Sequence, residues 1–279
     1  ERMRIDSSGR VLIGTVTEGH ASADNLTIAD SGNAGITIRS GDTSNGAIFF
    51  SDATSGDAEF DGYVQYNHGA DPFMQFGVAD DTVMALKGSN VGIGTTSPST
   101  ALHINMGAGG LPKIRLQHSS ENNDVFEITG GLSGVSNSGF GIRDVDEDVY
   151  RLVINSSGNV GIGTTSPDAK LHLAAASNGP FIRLENTDDS INANQTFGGI
   201  EFESKDSSTG SAGVIAKFDC IANANLDGSS LHGGELRFHT SGTNSISLEE
   251  RLRIDTSGNV GIGTTNPATL LHLDANDGA

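Results

Sequence analysis

Tryptophan is absent from this 279-residue chain, tyrosine occurs three times and aromatics make up 5% of it, so each segment has little bulk with which to fill a core. Cysteine occurs once, at Cys220, which excludes an intrachain disulfide and reads as a small buried apolar residue. Basic residues are scarce, 16 against 35 acidic ones, and the resulting net charge of −19 excludes the basic face that nucleic acid or an anionic membrane surface would require. No apolar run is long enough to span a bilayer, and none reads as a secretory signal. Nor does any stretch carry the 3.6-residue periodicity of a helix longer than about a turn.

Glycine, by contrast, is abundant, at 38 residues, and much of it sits in a repeated string. Residues 155–173 read NSSGNVGIGTTSPDAKLHL; residues 255–273 read DTSGNVGIGTTNPATLLHL, residues 87–104 read KGSNVGIGTTSPSTALHI, and residues 6–15 hold a shortened copy, DSSGRVLIGT. Each copy reads as one joint: a turn, a Gly-rich strand, a Thr-Thr-x-Pro corner and a short apolar strand. The defining residues are Gly92, Gly94 and Pro98, then Gly161, Gly163 and Pro167, then Gly261, Gly263 and Pro267.

The closing glycines, Gly14, Gly94, Gly163 and Gly263, stand 80, 69 and 100 residues apart. Such unequal spacing implies modules of variable size on a constant connector rather than a regular solenoid. The division expected is residues 1–14 as the end of a preceding module, 15–94, 95–163 and 164–263 as three β-modules, and 264–279 as the start of another. The opening ERMRIDSSGRV matches ERLRIDTSGNV at 250–260, so the chain reads as a piece of a longer repeat protein.

Within a joint, Val160-Gly161-Ile162-Gly163 and its counterparts alternate with period two, the signature of a strand with Val and Ile on one face and bare backbone on the other. Bare backbone invites close approach, and another chain near a common axis is the neighbour expected there. The Asx-Ser-Ser-Gly-Asn cluster predicts a hairpin back to a Leu-x-Ile strand (Leu152 and Ile154, Leu252 and Ile254, Met3 and Ile5). The second copy, one residue shorter between Leu86 and Val91, predicts a different turn. Ser97-Pro98, Ser166-Pro167 and Asn266-Pro267 predict an N-cap and one helical turn.

The bodies between joints share triplets that read as strands: Ile36-Thr37-Ile38, Ile114-Arg115-Leu116 and Ile182-Arg183-Leu184, then Ile48-Phe49-Phe50 and Ile200-Glu201-Phe202. Met74-Gln75-Phe76, Phe140-Gly141-Ile142 and Leu236-Arg237-Phe238 follow. An extra strand, near Tyr63 to Tyr66 and Val214 to Phe218, is expected in the first and third modules alone. Stretches 120–124, 186–195 and 204–212 read as exposed loops.

Few motifs suggest chemistry. Gly-Ile-Gly-Thr-Thr-Ser lacks the third glycine and the following helix of a dinucleotide site. Asp144, Asp146 and Asp148 have the opening spacing of a calcium loop, but Val149 and Asn155 stand where its Gly and Glu belong, so an acidic turn is expected. Asp57, Glu59 and Asp61 cluster in one loop and are the sole footing for a glycosidase reading. His103, His172 and His272 share one position in the joint; on a threefold axis they could form a metal-binding layer, and otherwise they are outward spacers between core Leu and Ile residues. No nucleophile–base pattern occurs, and no enzyme activity and no cofactor is expected.

The string SSGNVGIGTTSPxxxLHL preceded by RLxI resembles repeats of bacteriophage tail-fibre and related virion fibre proteins, particularly those of marine and cyanobacterial phages, and residues 25–86 are similar to a body module of the same proteins. The resemblance implies an all-β, elongated array of small modules in a parallel homotrimeric fibre that projects from the virion. Its partners would be copies of itself, adjoining fibre or baseplate proteins and host surface glycans, with no nucleic acid and no membrane insertion. The alternatives are a non-viral extracellular filament or adhesin, and a tailspike-like fibre that cleaves glycans.

Overall fold

The computed structural model describes residues 2–79, 81–107, 109–118, 124–133, 139–206, 212–224, 233–242 and 245–274. It is an all-β chain, with one short 3-10 turn at Asp57–Phe60 as its sole helical element among the described residues. Two compact units are separable, Glu1–Gly179 and Pro180–Ala279.

Four sheets account for the strands. The first is small: β1 (Met3–Ile5), β2 (Val11–Ile13) and β3 (Leu26–Ile28). The second contains β4 (Asn45–Phe50), β5 (Gly62–Asn67), β6 (Phe73–Val78), β7 (Asp81–Lys87), β8 (Asn90–Ile93) and β9 (Leu102–Ile104). The third contains β10 (Lys113–Gln117), β11 (Val125–Gly130), β12 (Phe140–Asp144), β13 (Val149–Ile154), β14 (Val160–Ile162) and β15 (Leu171–Leu173). The fourth, in the second unit, contains β16 (Thr196–Ser204), β17 (Gly213–Ala222), β18 (Gly234–Ser241), β19 (Leu248–Ile254), β20 (Val260–Ile262) and β21 (Leu271–Leu273). In each six-stranded sheet the strands follow chain order, five of them antiparallel neighbours and the sixth parallel to the fifth.

The hairpins before the Gly-rich strands form as their sequences predict. Leu152 faces Ile162 and Ile154 faces Val160, with Leu252, Ile262, Ile254 and Val260 placed likewise. Asn155 Oδ1 accepts from the backbone N–H of Ser157 at 2.9 Å and of Asn159 at 3.0 Å, and Asp255 and Asp6 do the same in their turns. This bonding to the residue's own turn is why Asx recurs at that position. In the shorter copy Lys87 pairs with Asn90 across a two-residue turn, and Gly88 supplies its positive φ of 59°.

A bulge recurs between the third and fourth strands of all three large sheets, at Phe76/Gly77, Ile142/Arg143 and Phe238/His239. In two of them the carbonyl of the inserted residue serves the joint: Val83 accepts from the Gly94 N–H at 3.0 Å and Arg251 from the Gly263 N–H at 3.1 Å. The bulge therefore ties the body of the sheet to its closing glycine.

Two sequence expectations fail here. The Ser-Pro corners contain no helical turn: Thr95 Oγ1 accepts the N–H of Ser97 and Thr164 Oγ1 that of Ser166, so a threonine, not the residue before proline, caps the corner. The second concerns the first body triplets. Ile114-Arg115-Leu116 lies in β10, but Ile36-Thr37-Ile38 and Ile182-Arg183-Leu184 pair with no strand. The middle body has one strand-forming segment fewer than the others, and its triplet takes the edge that β4 and β16 fill elsewhere. The extra strands expected near Tyr63 and Val214 are β5 and β17. Of the expected loops, 186–195 forms a series of turns, while 120–123 and 207–211 lie outside the described residues.

Candidate assembly interface

Register places the chemistry of each sheet on two very different faces. On one face, a row crosses all six strands of the second sheet: Ile48, Val64, Phe76, Met84, Ile93 and Ile104. Its counterparts are Ile114, Ile128, Ile142, Leu152, Ile162 and Leu173 in the third sheet, and Ile200, Phe218, Phe238, Leu252, Ile262 and Leu273 in the fourth. A second row lies beside each, ending in Val91–Leu102, Val160–Leu171 and Val260–Leu271.

These rows are open. Ile48, Ile114 and Ile200 are 50%, 43% and 40% exposed, and Leu171 and Leu271 are more than half exposed. The side chains that are shut away, among them Leu12, Ala85 and Val153, lie on the opposite face. In the single chain the histidines of the joints are on the closed face and the Leu and Ile residues beside them on the open one.

The closed face is completed at the joint by the chain itself. A Cβ on Gly161 would lie 2.5 Å from the Thr164 carbonyl oxygen and 3.5 Å from Pro167 Cβ; Gly261 meets Thr264 and Pro267 in the same way, and Gly92 meets Thr95 at 2.2 Å. Pro98, Pro167 and Pro267 are all buried. The neighbour of the bare glycine backbone is thus the folded-back corner of its own joint, not the backbone of another chain as expected.

The closing glycines have a stricter requirement. Gly94, Gly163 and Gly263 have φ of 68°, 75° and 73°, and a Cβ on them would sit 2.1, 2.1 and 2.5 Å from the carbonyl oxygens of Asn105, Ala174 and Asp274. Both the left-handed backbone and the near carbonyl demand glycine. They allow a parallel return in the eight residues 94–101, where a dozen or more are usual, because strands of about three residues leave little distance to retrace.

His103, His172 and His272 lie beside the middle glycines in that parallel register, one in each large sheet. His103 Nδ1 accepts from the Ser99 N–H at 3.4 Å and His272 Nδ1 from the Ala268 N–H at 3.3 Å, so each imidazole is half-buried against its own corner. His172 Nδ1 stands 3.0 Å from Asp168 Oδ1 instead. No cluster of metal-ligating side chains occurs among the described residues.

Away from the joints, the closed face is filled differently in each sheet. The second uses aromatics, with the Tyr63 ring over Gly77 and Phe49 packed beside it. The third buries Glu127 among Arg115 at 2.8 Å, Lys113 at 3.0 Å and Arg143 at 3.5 Å. Hydrogen bonds from Arg115 and then Lys113 hold the Glu127 carboxyl below its ordinary value. The fourth buries Asp219 beside Arg237, Lys217 and His239. Burial alone pushes the Asp219 carboxyl up, but the hydrogen bonds from Lys217 and Arg237 together leave it lowered.

The remaining sequence candidates are accounted for structurally. In the acidic turn, Asp144 receives Arg151, Asp148 receives Arg143, and Asp146 accepts the Val125 N–H, so these carboxylates secure a hairpin rather than stand free in solvent. Glu59 and Asp61 are exposed around the 3-10 turn, and the side chain of Asp57 lies outside the described residues. Burial pushes the Cys220 thiol up, and its position beside Leu236 puts it in the second apolar row. β11 was not foreseen, although Val125-Phe126-Glu127-Ile128-Thr129 alternates clearly enough to have announced it.

No protein-family model and no curated protein matches the chain. Among the solved structures similar to it are two of one fibre. One is the carboxy-terminal domain of the bacteriophage T5 L-shaped tail fibre with its intramolecular chaperone domain, at 12% identity and a TM-score of 0.28 over 58% of this chain and 56% of that one. The other is the carboxy-terminal domain of the same fibre, at 14% identity and a TM-score of 0.28 over 64% of this chain and 92% of that one. This chain thus spans little more than half of the first, and superposition at that level carries no inference about what it does.

Proposed function

We propose that the protein is a structural segment of a virion fibre, a homotrimeric shaft that projects from the particle and supports attachment to the host surface. The observation that carries this reading is the repeated open face: three sheets expose matching six-residue apolar rows, while their closed faces are individually filled. A surface that recurs in register is a surface for association, and copies of the same chain are the partner that presents three matching rows in the same order. The tail-fibre resemblance of the joint sequence supports the viral setting. Exposed loops repeated along an assembly would bind surface glycans through many weak contacts at once.

Sedimentation of the purified chain tests the reading. A trimer whose melting midpoint rises with protein concentration is the expected result; a folded single-chain species that persists as concentration is raised would overturn it. Host polysaccharide incubated with the assembly is expected to remain uncut.

A further inference from the structure

The two body triplets that fail to pair stand in stretches of unbonded backbone. Residues 33–40 and 180–185 belong to no helix, strand or turn, and none of them takes part in a hydrogen bond among the described residues. Their apolar side chains are far out in solvent: Ile36 is 67% exposed, Phe181 89% and Ile182 60%. Yet each stretch is anchored by one residue. Ile38 packs over Gly46, and Leu184 occupies the space a side chain on Gly198 would need, 2.6 Å from its Cβ position. Gly46 and Gly198 hold the first-strand place in the second apolar row, so both stretches end on the proposed association face. Ser40 adds an independent sign: its hydroxyl is closed off from solvent with no partner in its own chain.

The middle module shows what such a triplet does when an acceptor is available. Ile114-Arg115-Leu116 adds antiparallel to the outer edge of β11 and extends its apolar row. In the second and fourth sheets β4 and β16 already occupy that edge, and each is bonded to a neighbouring strand on one side only. We propose that residues 33–40 and 180–185 are arms that pair, backbone to backbone, with a second copy of this chain along the outer edge of its β4 and β16. This rests on the homotrimer reading and specifies how the copies are held: buried apolar rows give the contact area, and strand addition fixes which copy meets which and in what register.

Hydrogen–deuterium exchange on the assembled chain tests it. The amides of residues 34–40 and 181–185 are expected to exchange at least a hundredfold more slowly than those of the exposed loop 52–55, and to lose that protection on dilution into single chains. Thr37→Pro combined with Arg183→Pro, which removes one donor from each arm, should raise the concentration for half-assembly at least tenfold, while the matching alanine pair leaves it within twofold. If the proline pair does not fold, exchange in the unmodified chain decides alone. A trimer whose arm amides exchange as fast as the loop overturns the arms and leaves the trimer standing. Protection already complete in the single chain places the acceptor within one copy and also overturns them. A chain that never assembles removes both proposals.

Discussion

The first joint and the three later ones solve the same packing problem with different residues. In the later joints a middle glycine (Gly92, Gly161, Gly261) is roofed by a corner ending in a buried proline. In the first, Leu12 takes the glycine's place, 1% exposed, and Glu18 takes the proline's. The closing glycine is present in all four, Gly14 included, with φ of 74° and a carbonyl 2.0 Å from any Cβ. One glycine is thus a question of space, settled by either a roof or a filler. The other is a question of backbone and space together, a left-handed φ with a carbonyl oxygen where any Cβ would stand.

The comparison can be broken at its strongest point first. Gly163→Val should destabilise the first unit by about 3 kcal/mol or more, since it places a β-branched residue in the left-handed region against the Ala174 carbonyl; a melting curve within 1 °C of the parent would refute that account. Next, Leu12→Gly should cost about 3 kcal/mol as a buried side chain is lost without a proline to replace it. Gly161→Leu should cost roughly 2 kcal/mol through overpacking and recover part of that in combination with Pro167→Glu. Additive effects of the last two, measured by denaturant unfolding, would show that glycine and proline are not a packing pair.

The pH dependence tests the body of the third sheet apart from its glycine joint. Glu127 has a lowered value in the folded chain, so its contribution is complete above the ordinary carboxylate value of 4.5 and is lost as pH falls below it. Glu127→Gln should therefore flatten the acid limb of the melting profile of the third sheet, whereas Gly161→Leu, which replaces no titratable group, should leave that limb in place. The smallest effect concerns the shortened hairpin. Gly88→Ala should cost about 1 kcal/mol, because its φ is positive but open space surrounds the added methyl.

Much of this fold was legible in the sequence, and the failures have identifiable causes. The joint's turn, its alternating strand and the altered hairpin of the second copy follow from local rules, and they formed. Which face closes within the single chain did not follow, because period-two alternation defines two faces and leaves open which is covered by the chain itself and which is left to a partner. Thr164 and Pro167 could have announced the true roof, since they follow three and six residues after the glycine they cover. Ile36-Thr37-Ile38 and Ile114-Arg115-Leu116 look alike locally but differ in whether a distant edge is free to receive them. The Ser-Pro corner carries a helix-start signature, yet a strand begins within four residues of each proline, too soon for a helix to propagate.

The sixth strand of every large sheet runs parallel to the fifth, and this sets an arithmetic of insertion. Entry and exit polarity depend on strand parity: adding or deleting one strand would reverse the direction in which the chain leaves, while a pair would not. The middle body, short by one segment, restores the count of six by drafting β10. Recombination among such genes should therefore vary loops without limit but change strands two at a time.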